Sequence, residues 1–462
     1  MATQLEAVPL EEIAPVRAEA RRLSGIQIGV LWGDLGVGLL VLVAGSLLVP
    51  ALGLRQAMLA TVVGSAIGSA LLALAGRVGS DTGVPTMVAL RPALGIRGSY
   101  VATLLNVGQL IGWAGLEIII MAKATGAISD HFLGFEWYYG WLAAFAIGGP
   151  VVVVRDFLQR FGVWIVVAAS LWLSYRLFST YSIQSYWNDE GAGGFPNFGQ
   201  GVDIAVSLPV SWLPLVADYS RFARRSGDAA WATFVSYTVA NTWFFALGAG
   251  YVLVLSSTPA DNGLIFDLVD SLLPLALGWI FLFVILVDET DNAFANIYST
   301  AVSLQNLVRL PQRLLAVAVG AAAFAVAVSI DLGGYENFLL LIGGVFVSLF
   351  GVLLADYFVA SSQRYDTSAL HERGGRYWFW GGLNPAGLLA WLAGFIVYAA
   401  AAQPPALVDH AAWIADVPEW VTKFGGTLPS FAVSFVLYLA LSRVVLPLVP
   451  GPRALAFEER AG

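Results

Sequence analysis

The sequence predicts an all-α integral membrane protein with twelve transmembrane helices. Three observations carry that expectation. Of the 462 residues, 58% are hydrophobic and only 12% are charged, about half the charge of a typical soluble domain. Apolar runs near the roughly 20 residues that cross hydrocarbon as a helix recur along the whole chain. Basic residues, finally, segregate to alternate connections. Because backbone in lipid must satisfy its own hydrogen bonds, such runs are read as helices.

In order, the predicted spans are 26–49, 57–75, 100–121, 137–154, 161–178, 202–217, 231–256, 278–304, 315–330, 338–358, 386–402 and 431–448. The stretch 264–278, broken by Pro274, reads as a short external or re-entrant helix. With the N-terminus inside, all of the 23 Lys and Arg except Arg55, Lys123, Arg176 and Lys423 fall on cytoplasmic segments, as the positive-inside rule requires. Acids such as Asp189, Glu190, Asp261, Asp331 and Asp416 then crowd the external loops. Both termini are expected in the cytoplasm, in a multi-pass protein of the plasma (inner) membrane. The polar first 22 residues, with four Glu, read as a tail and not as a removable signal peptide.

Composition also excludes chemistry. There is no cysteine, hence no disulfide, thiol nucleophile or thiolate metal site. The three His (His131, His371, His410) all fall in predicted loops, so neither a histidine metal centre in the membrane nor an enzyme with a nucleophile and base is expected. No cofactor is expected beyond a coupling ion. The net charge of −8 is loop solvation and points to no nucleic-acid partner. The expected partners are the bilayer and a small molecule, with the chain working as a monomer.

Two spans are interrupted. Span one reads "SGIQIGVLWGDLGVGLLVLVAG". Gly25, Gly29 and Gly33 share a stripe where another helix can approach closely. Asp34 then sits among Gly33, Gly36 and Gly38. Each glycine costs roughly 1 kcal/mol relative to Ala inside a helix, which predicts a break near mid-membrane. The alternative is a continuous helix with a glycine packing face and Asp34 lining a water cavity. In span six, "GVDIAVSLPVSWLPLVADYSRFARR", Pro209 and Pro214 each remove a backbone donor, and the helix is expected to come apart around residues 208–213. Interrupted segments in corresponding halves mark secondary transporters built from inverted repeats, with sites at the breaks. The offset of five spans suggests two five-helix repeats, 24–180 and 200–360, between a tail at 1–23 and two added helices in 361–450, with a cytoplasmic tail at 451–462.

Ionisable groups at bilayer depth cost at least roughly 2.5 kcal/mol and therefore face a cavity or a partner. Asp34, Glu117, Asp288, Glu289 and Asp291 are the candidates. In span three, Trp113 and Glu117 are four apart and share a helix face. They offer a stacking surface and a carboxylate, suited to a planar heteroaromatic ring with an exocyclic amine. Core packing of Trp113, with Glu117 paired to another helix, is the alternative. In span eight, Glu289, Asn292 and Asn296 form one stripe, and Asp288 and Asp291 an adjoining one. That face is expected to line a solvated route, where oxygens hold a hard cation or an acid relays a proton.

The motifs "WGDLG", "GWAGLE", "DYSRFARR" and "DNAFANIYS", in this order and spacing, resemble the nucleobase cation symporter-1 family of cytosine, allantoin and hydantoin transporters. The resemblance implies the leucine-transporter fold, five helices plus five inverted plus two with spans one and six broken, and alternating access driven by a cation gradient. It also implies that Trp113 stacks on the substrate, that Glu117, where the family often has Gln, hydrogen-bonds it, and that Asn296 contacts it. It implies further contacts around Ser211 and Trp212 of the broken span six; Asp34 of span one, an acid beside the break, is expected to join the substrate set. The hydroxyl pair that binds sodium in some members corresponds to Thr290 and Asp291, which leaves sodium or proton open; Gly33, Asp288 and Glu289 join this coupling set. "GWAGLEIII" with "DETDNAFANIYS" most resembles the branch proposed to carry hydroxymethylpyrimidine, a thiamin precursor, with cytosine ranked second. A channel fits less well, because no ring of like residues resembles a selectivity filter.

Overall fold

In the computed structural model the predicted spans other than the fourth fall on helical residues, spans one and six on more than one element each. The structure describes residues 13–135, 137, 139–142, 144, 163–255, 278–330 and 334–445. The predicted fourth span and the 264–278 segment lie almost wholly outside the described residues. Span one is two helices, α1 (Gly25–Asp34) and α2 (Leu39–Ser46). They are followed by α3 (Leu54–Thr82), α4 (Gly98–Leu133) and α5 (Val163–Thr180). Span six comprises α6 (Phe198–Ser211), a 3-10 turn at Leu213–Leu215 and α7 (Val216–Ser220). The remainder are α8 (Ser226–Leu255), α9 (Gly278–Leu304), α10 (Gln312–Ala327), α11 (Tyr335–Leu354), α12 (Pro385–Ala402) and α13 (Thr427–Val444). Among the described residues, seven helices are long and apolar enough to cross a membrane, and the α1–α2 pair, bent by 59°, makes an eighth.

Local sequence sets the helix ends. Both interrupted spans begin with a capping box, Ser24 with Gln27 in α1 and Asn197 with Gln200 in α6, each satisfying amide donors that a helix start leaves free. The glycine stripe of α1 does what its spacing predicts. A Cβ built on Gly25, Gly29 or Gly33 would meet Asp228, Ala232 or Ser236 in turn, so α8 lies along it at the same four-residue repeat.

The helices pack as groups. α1, α2, α3, α6, α7 and α8 form one group, and α4, α9 and α10 a second. α11, α12 and α13 pack together and join the first group through α6. The first two groups meet lightly where α2 faces α4 and α9. Beneath that seam the fully buried Trp32 makes edge contacts at 6.1–6.2 Å with Trp212 and Tyr219 and a tilted one at 6.3 Å with Tyr237. These rings tie α1, α7 and α8 to the interruption in span six. Offset aromatic contacts of this kind add about 0.5–1.5 kcal/mol each to their area burial.

Not every basic residue of the connections is solvated: Arg91 and Arg221 are both buried. Arg91, in the short helix Arg91–Leu94 between α3 and α4, is buried. It donates to the Leu370 carbonyl (2.8 Å) and to Asn306 Oδ1 (2.7 Å), with His371 Nδ1 at 2.8 Å. Burial, and then the Arg91 charge beside it, pushes the His371 imidazole down to about 4. The sequence reads Arg91 and His371 as loop residues; the structure makes them a clamp joining three connections.

Candidate functional site

The two interruptions differ in construction. After Asp34, the chain passes through Gly38 at φ 156° before α2 begins. Only glycine adopts such a backbone readily, and a Cβ there would lie 3.0 Å from Glu289 Oε1 and 3.3 Å from Asn292 Nδ2. The freed amides of α2 have a charged acceptor. Glu289 Oε1 accepts from Leu39 N and from Leu40 N, the latter at 3.3 Å, the arrangement that a helix N-terminus favours for an anion. Asn292 Nδ2 reaches both Glu289 Oε2 and the Val37 carbonyl at 3.4 Å.

In span six the α-helix ends at Ser211, inside the interval 208–213 where the sequence places the interruption, but the chain keeps its direction. Helix α6 carries Pro209 within it and persists to Ser211, and the chain continues through the 3-10 turn without bending past 40°. The physical reason is substitution of partners. Pro209 cannot donate to the Ala205 carbonyl, and Asn241 Nδ2 of α8 does so instead at 3.3 Å. Pro214 stands at the start of the 3-10 turn, where no donor is required, and the Val210 carbonyl accepts from Trp212 N. The Ser211 carbonyl is capped by Gln109 Nε2 of α4 at 2.9 Å.

Between these interruptions lies a cavity lined by Leu35, Gly38, Leu40 and Val41 of span one, Trp113 and Glu117 of α4, Leu208, Ser211 and Trp212 of span six, and Glu289, Asn292 and Asn296 of α9. Its free volume is about 20 Å³, room for one water-sized body. Glu117 Oε1 accepts from Asn296 Nδ2 at 2.9 Å. Glu117 Oε2 and Trp113 Nε1 are buried and have no hydrogen-bond partner among the described residues. The indole is braced edge-on by Tyr335 (5.8 Å) and Phe338 (5.3 Å). A second cavity of about 450 Å³ is lined by Gly112, Leu116, Ile330, Tyr335 and Phe338, so these two rings stand between it and Trp113.

Of the residues singled out in the sequence, Trp113, Glu117, Ser211, Trp212, Glu289 and Asn296 are brought together here. Ser211 lines the cavity, but its hydroxyl is bonded to the Leu208 carbonyl at 2.6 Å. Asp34 and Gly33 are not among the lining residues: Asp34 ends α1 half-buried, and Gly33 faces Ser236 of α8. Thr290 is half-buried on α9 and lies outside the lining. Asp288 and Asp291 are on α9, and their side chains are outside the described set. No group of three or more His, Cys, Asp or Glu suited to a metal ion occurs among the described residues.

Sequence reasoning missed several residues. Gln109 and Asn241 carry the repair of span six, and both were visible as amides inside apolar spans. Two further buried acids also escaped. Asp203 caps α13, accepting from Gly426 N (2.6 Å) and Thr427 N (2.9 Å). Asp356 accepts from the hydroxyls of Tyr438 (2.6 Å) and Tyr365 (2.7 Å).

Interrupted helices that meet at a buried cavity between two helix groups define the architecture of a secondary transporter. A family model described as permease for cytosine/purines, uracil, thiamine and allantoin matches residues 15–416, and the chain belongs to that family. It is similar to the allantoin permease of Bacillus subtilis (strain 168), 24% identical, covering 95% of this chain and 94% of that protein. It is also similar to the cytosine permease of Escherichia coli (strain K12), 23% identical, covering 70% of this chain and 74% of that one. Among solved structures, Mhp1 in its inward-facing conformation superposes with a TM-score of 0.78 at 18% identity, covering 95% of this chain and 94% of the other. That likeness establishes the leucine-transporter fold. The chain is a multi-pass membrane transporter of this permease family.

Proposed function

We propose that this chain is a cation-coupled symporter that imports an aminopyrimidine by alternating access, with hydroxymethylpyrimidine the first substrate and cytosine the second. The observation that carries this reading is the pair of unpartnered polar atoms, Glu117 Oε2 and Trp113 Nε1, on one face of α4 in the seam cavity. A buried carboxylate oxygen without a donor costs about 1–3 kcal/mol, and an exocyclic amine supplies the missing donor. Trp113 stacks on the ring, and Asn296, held by Glu117, faces its edge. Trp212 closes the opposite wall, with the backbone at Ser211 beside it. The similarity to a cytosine permease supports a ring bearing an amine next to a ring nitrogen.

The coupling ion enters through α9, where Thr290 and Asp291 stand at the sodium-binding hydroxyl pair of the family pattern and Asp288 and Glu289 add charge. Gly33 and Asp34 contribute from the end of α1 by backbone or by solvated contact, since neither lines the cavity. We further infer two inverted five-helix repeats, 24–180 and 200–360, with both termini cytoplasmic in the plasma membrane and a monomer as the working unit. The matching capping boxes of α1 and α6 support the repeat.

Competition uptake in cells expressing the chain tests the substrate. Labelled hydroxymethylpyrimidine is chased by cytosine, uracil, thiamin, allantoin and hydantoins, with and without a sodium gradient. Accumulation displaced only by aminopyrimidines is the expected result. Accumulation of hydantoin or allantoin alone would overturn the aminopyrimidine assignment.

A further inference from the structure

Tyr335 opens α11, immediately after Gly334, and Phe338 follows three residues later on the same helix face. Both rings meet the Trp113 indole edge-on, at interplanar angles of 83° and 68°. The indole has no hydrogen bond of its own among the described residues, since Trp113 Nε1 is buried and unpartnered. Its plane is set by these edge contacts, a geometry that aromatic pairs favour. Phe338 reaches α4 because residue 112 is glycine; a Cβ there would lie 2.8 Å from Phe338 Cε2.

Tyr335 does more than brace. It is 2% exposed, and its hydroxyl donates to the Leu40 carbonyl of α2 at 3.0 Å. The indole belongs to the group of α4, α9 and α10, and Leu40 to the group of α1 and α2, so one side chain touches both sides of the seam. Phe338, with no polar atom, makes only the first of these contacts. The cavity of about 450 Å³ borders both rings, so packing alone does not fix them. What keeps the Tyr335 ring against the indole is its hydroxyl bond to α2. In transporters of this architecture the two groups rock about the site, and the Leu40 carbonyl travels with one while the indole travels with the other.

Resting on the reading of Trp113 as the residue that stacks on substrate, we propose that Tyr335 is a positioning residue that joins the substrate ring to the half-helix of span one. Its ring sets the plane of the Trp113 indole, and its hydroxyl carries that position to α2. A stacked substrate holds the indole, the indole holds Tyr335, and Tyr335 holds the start of α2 in the arrangement from which the groups rock.

The test uses purified full-length protein in liposomes, as wild type, Tyr335→Phe, Tyr335→Leu, Phe338→Leu and Trp113→Ala. Labelled hydroxymethylpyrimidine, cytosine, allantoin and hydantoin are the probes, offered under combined sodium and proton gradients. Equilibrium binding, KM and the maximal rate of uptake are measured for each probe that the wild type accumulates. Tyr335→Phe keeps the ring and loses the hydroxyl, so affinity stays within about twofold while the maximal rate falls about fivefold, the worth of one neutral hydrogen bond. Phe338→Leu loses an edge contact and keeps the link, so affinity falls about fivefold and the maximal rate holds. Tyr335→Leu loses both and shows both effects. A role confined to stability would lower the amount of folded protein without separating affinity from rate.

A normal maximal rate in Tyr335→Phe overturns the link to α2. An affinity loss in Tyr335→Phe as large as in Tyr335→Leu overturns the division between ring and hydroxyl. Should Tyr335→Leu not fold, Phe338→Leu supplies the ring arm, and an unchanged affinity there overturns the bracing of the indole. Where the wild type and Trp113→Ala behave as expected and Tyr335→Phe does not, the proposal alone fails. If Trp113→Ala binds as the wild type does, the stacking reading falls and the proposal with it. If the wild type accumulates none of the four rings, the transporter reading itself falls.

Discussion

Spans one and six are interrupted beside the same cavity, yet the first is bent by 59° and the second runs on through a 3-10 turn. The difference follows from what glycine and proline do to a backbone. Gly38 lets the chain turn outside the usual φ range, so the amides of a new helix start point at a neighbour, and a carboxylate takes them. Proline only deletes donors. The carbonyls left behind in span six are satisfied by two neutral amides, Asn241 and Gln109, and the helix direction survives. One break therefore presents charge-binding donors to the cavity wall, and the other is sealed.

Substitutions can separate these two constructions. The largest effect is expected at Gly38→Ala, which forces a strained φ and crowds Glu289 and Asn292. At about 1–3 kcal/mol of strain, substrate uptake should fall roughly tenfold, while Gly33→Ala, in ordinary contact with Ser236 at 3.5 Å, should stay close to wild type. Equal losses at both glycines would mean that the packing stripe, and not the turn, is what span one needs.

Next in size is Gln109→Leu, which strands the buried Ser211 carbonyl at a cost of about 1–3 kcal/mol. It should lower the thermal unfolding midpoint of the detergent-purified protein more than it weakens ligand binding. A normal midpoint would show that the turn needs no external cap. The smallest effect belongs to Pro214→Ala. Because the Val210 carbonyl already has Trp212 N, stability should change by less than about 1 kcal/mol. A large drop would mean that the proline ring itself holds the interruption, and the contrast with span one would lose its basis.

Much of the site was legible because helix spacing alone creates it. Trp113 with Glu117, and Glu289 with Asn292 and Asn296, follow from residues three and four apart on an apolar helix. The break in span one was written in its glycines. The same glycines also set the facing of α1. Gly33 continues the stripe of Gly25 and Gly29, so whatever helix packs there takes Gly33 with it, away from the cavity. Asp34 was assigned to the cavity because it is acidic and adjoins the break; its half-buried place at the end of α1 depends on how that helix is turned against α8. The repair of span six was illegible for a different reason. Asn241 and Gln109 are plain in the sequence, but which carbonyl each serves is a fact of tertiary packing. Arg91 likewise looked like a loop cation until three connections were seen to close over it.

The central claim is that Glu117 reads an amine on a ring stacked against Trp113. Equilibrium binding of cytosine and uracil to purified wild type and Glu117→Gln tests it most directly. The account predicts that the substitution weakens cytosine by about tenfold more than uracil, the worth of one charge-assisted hydrogen bond. Equal losses for the two rings would contradict it, and would leave Glu117 as a helix-pairing residue that holds Asn296 in place.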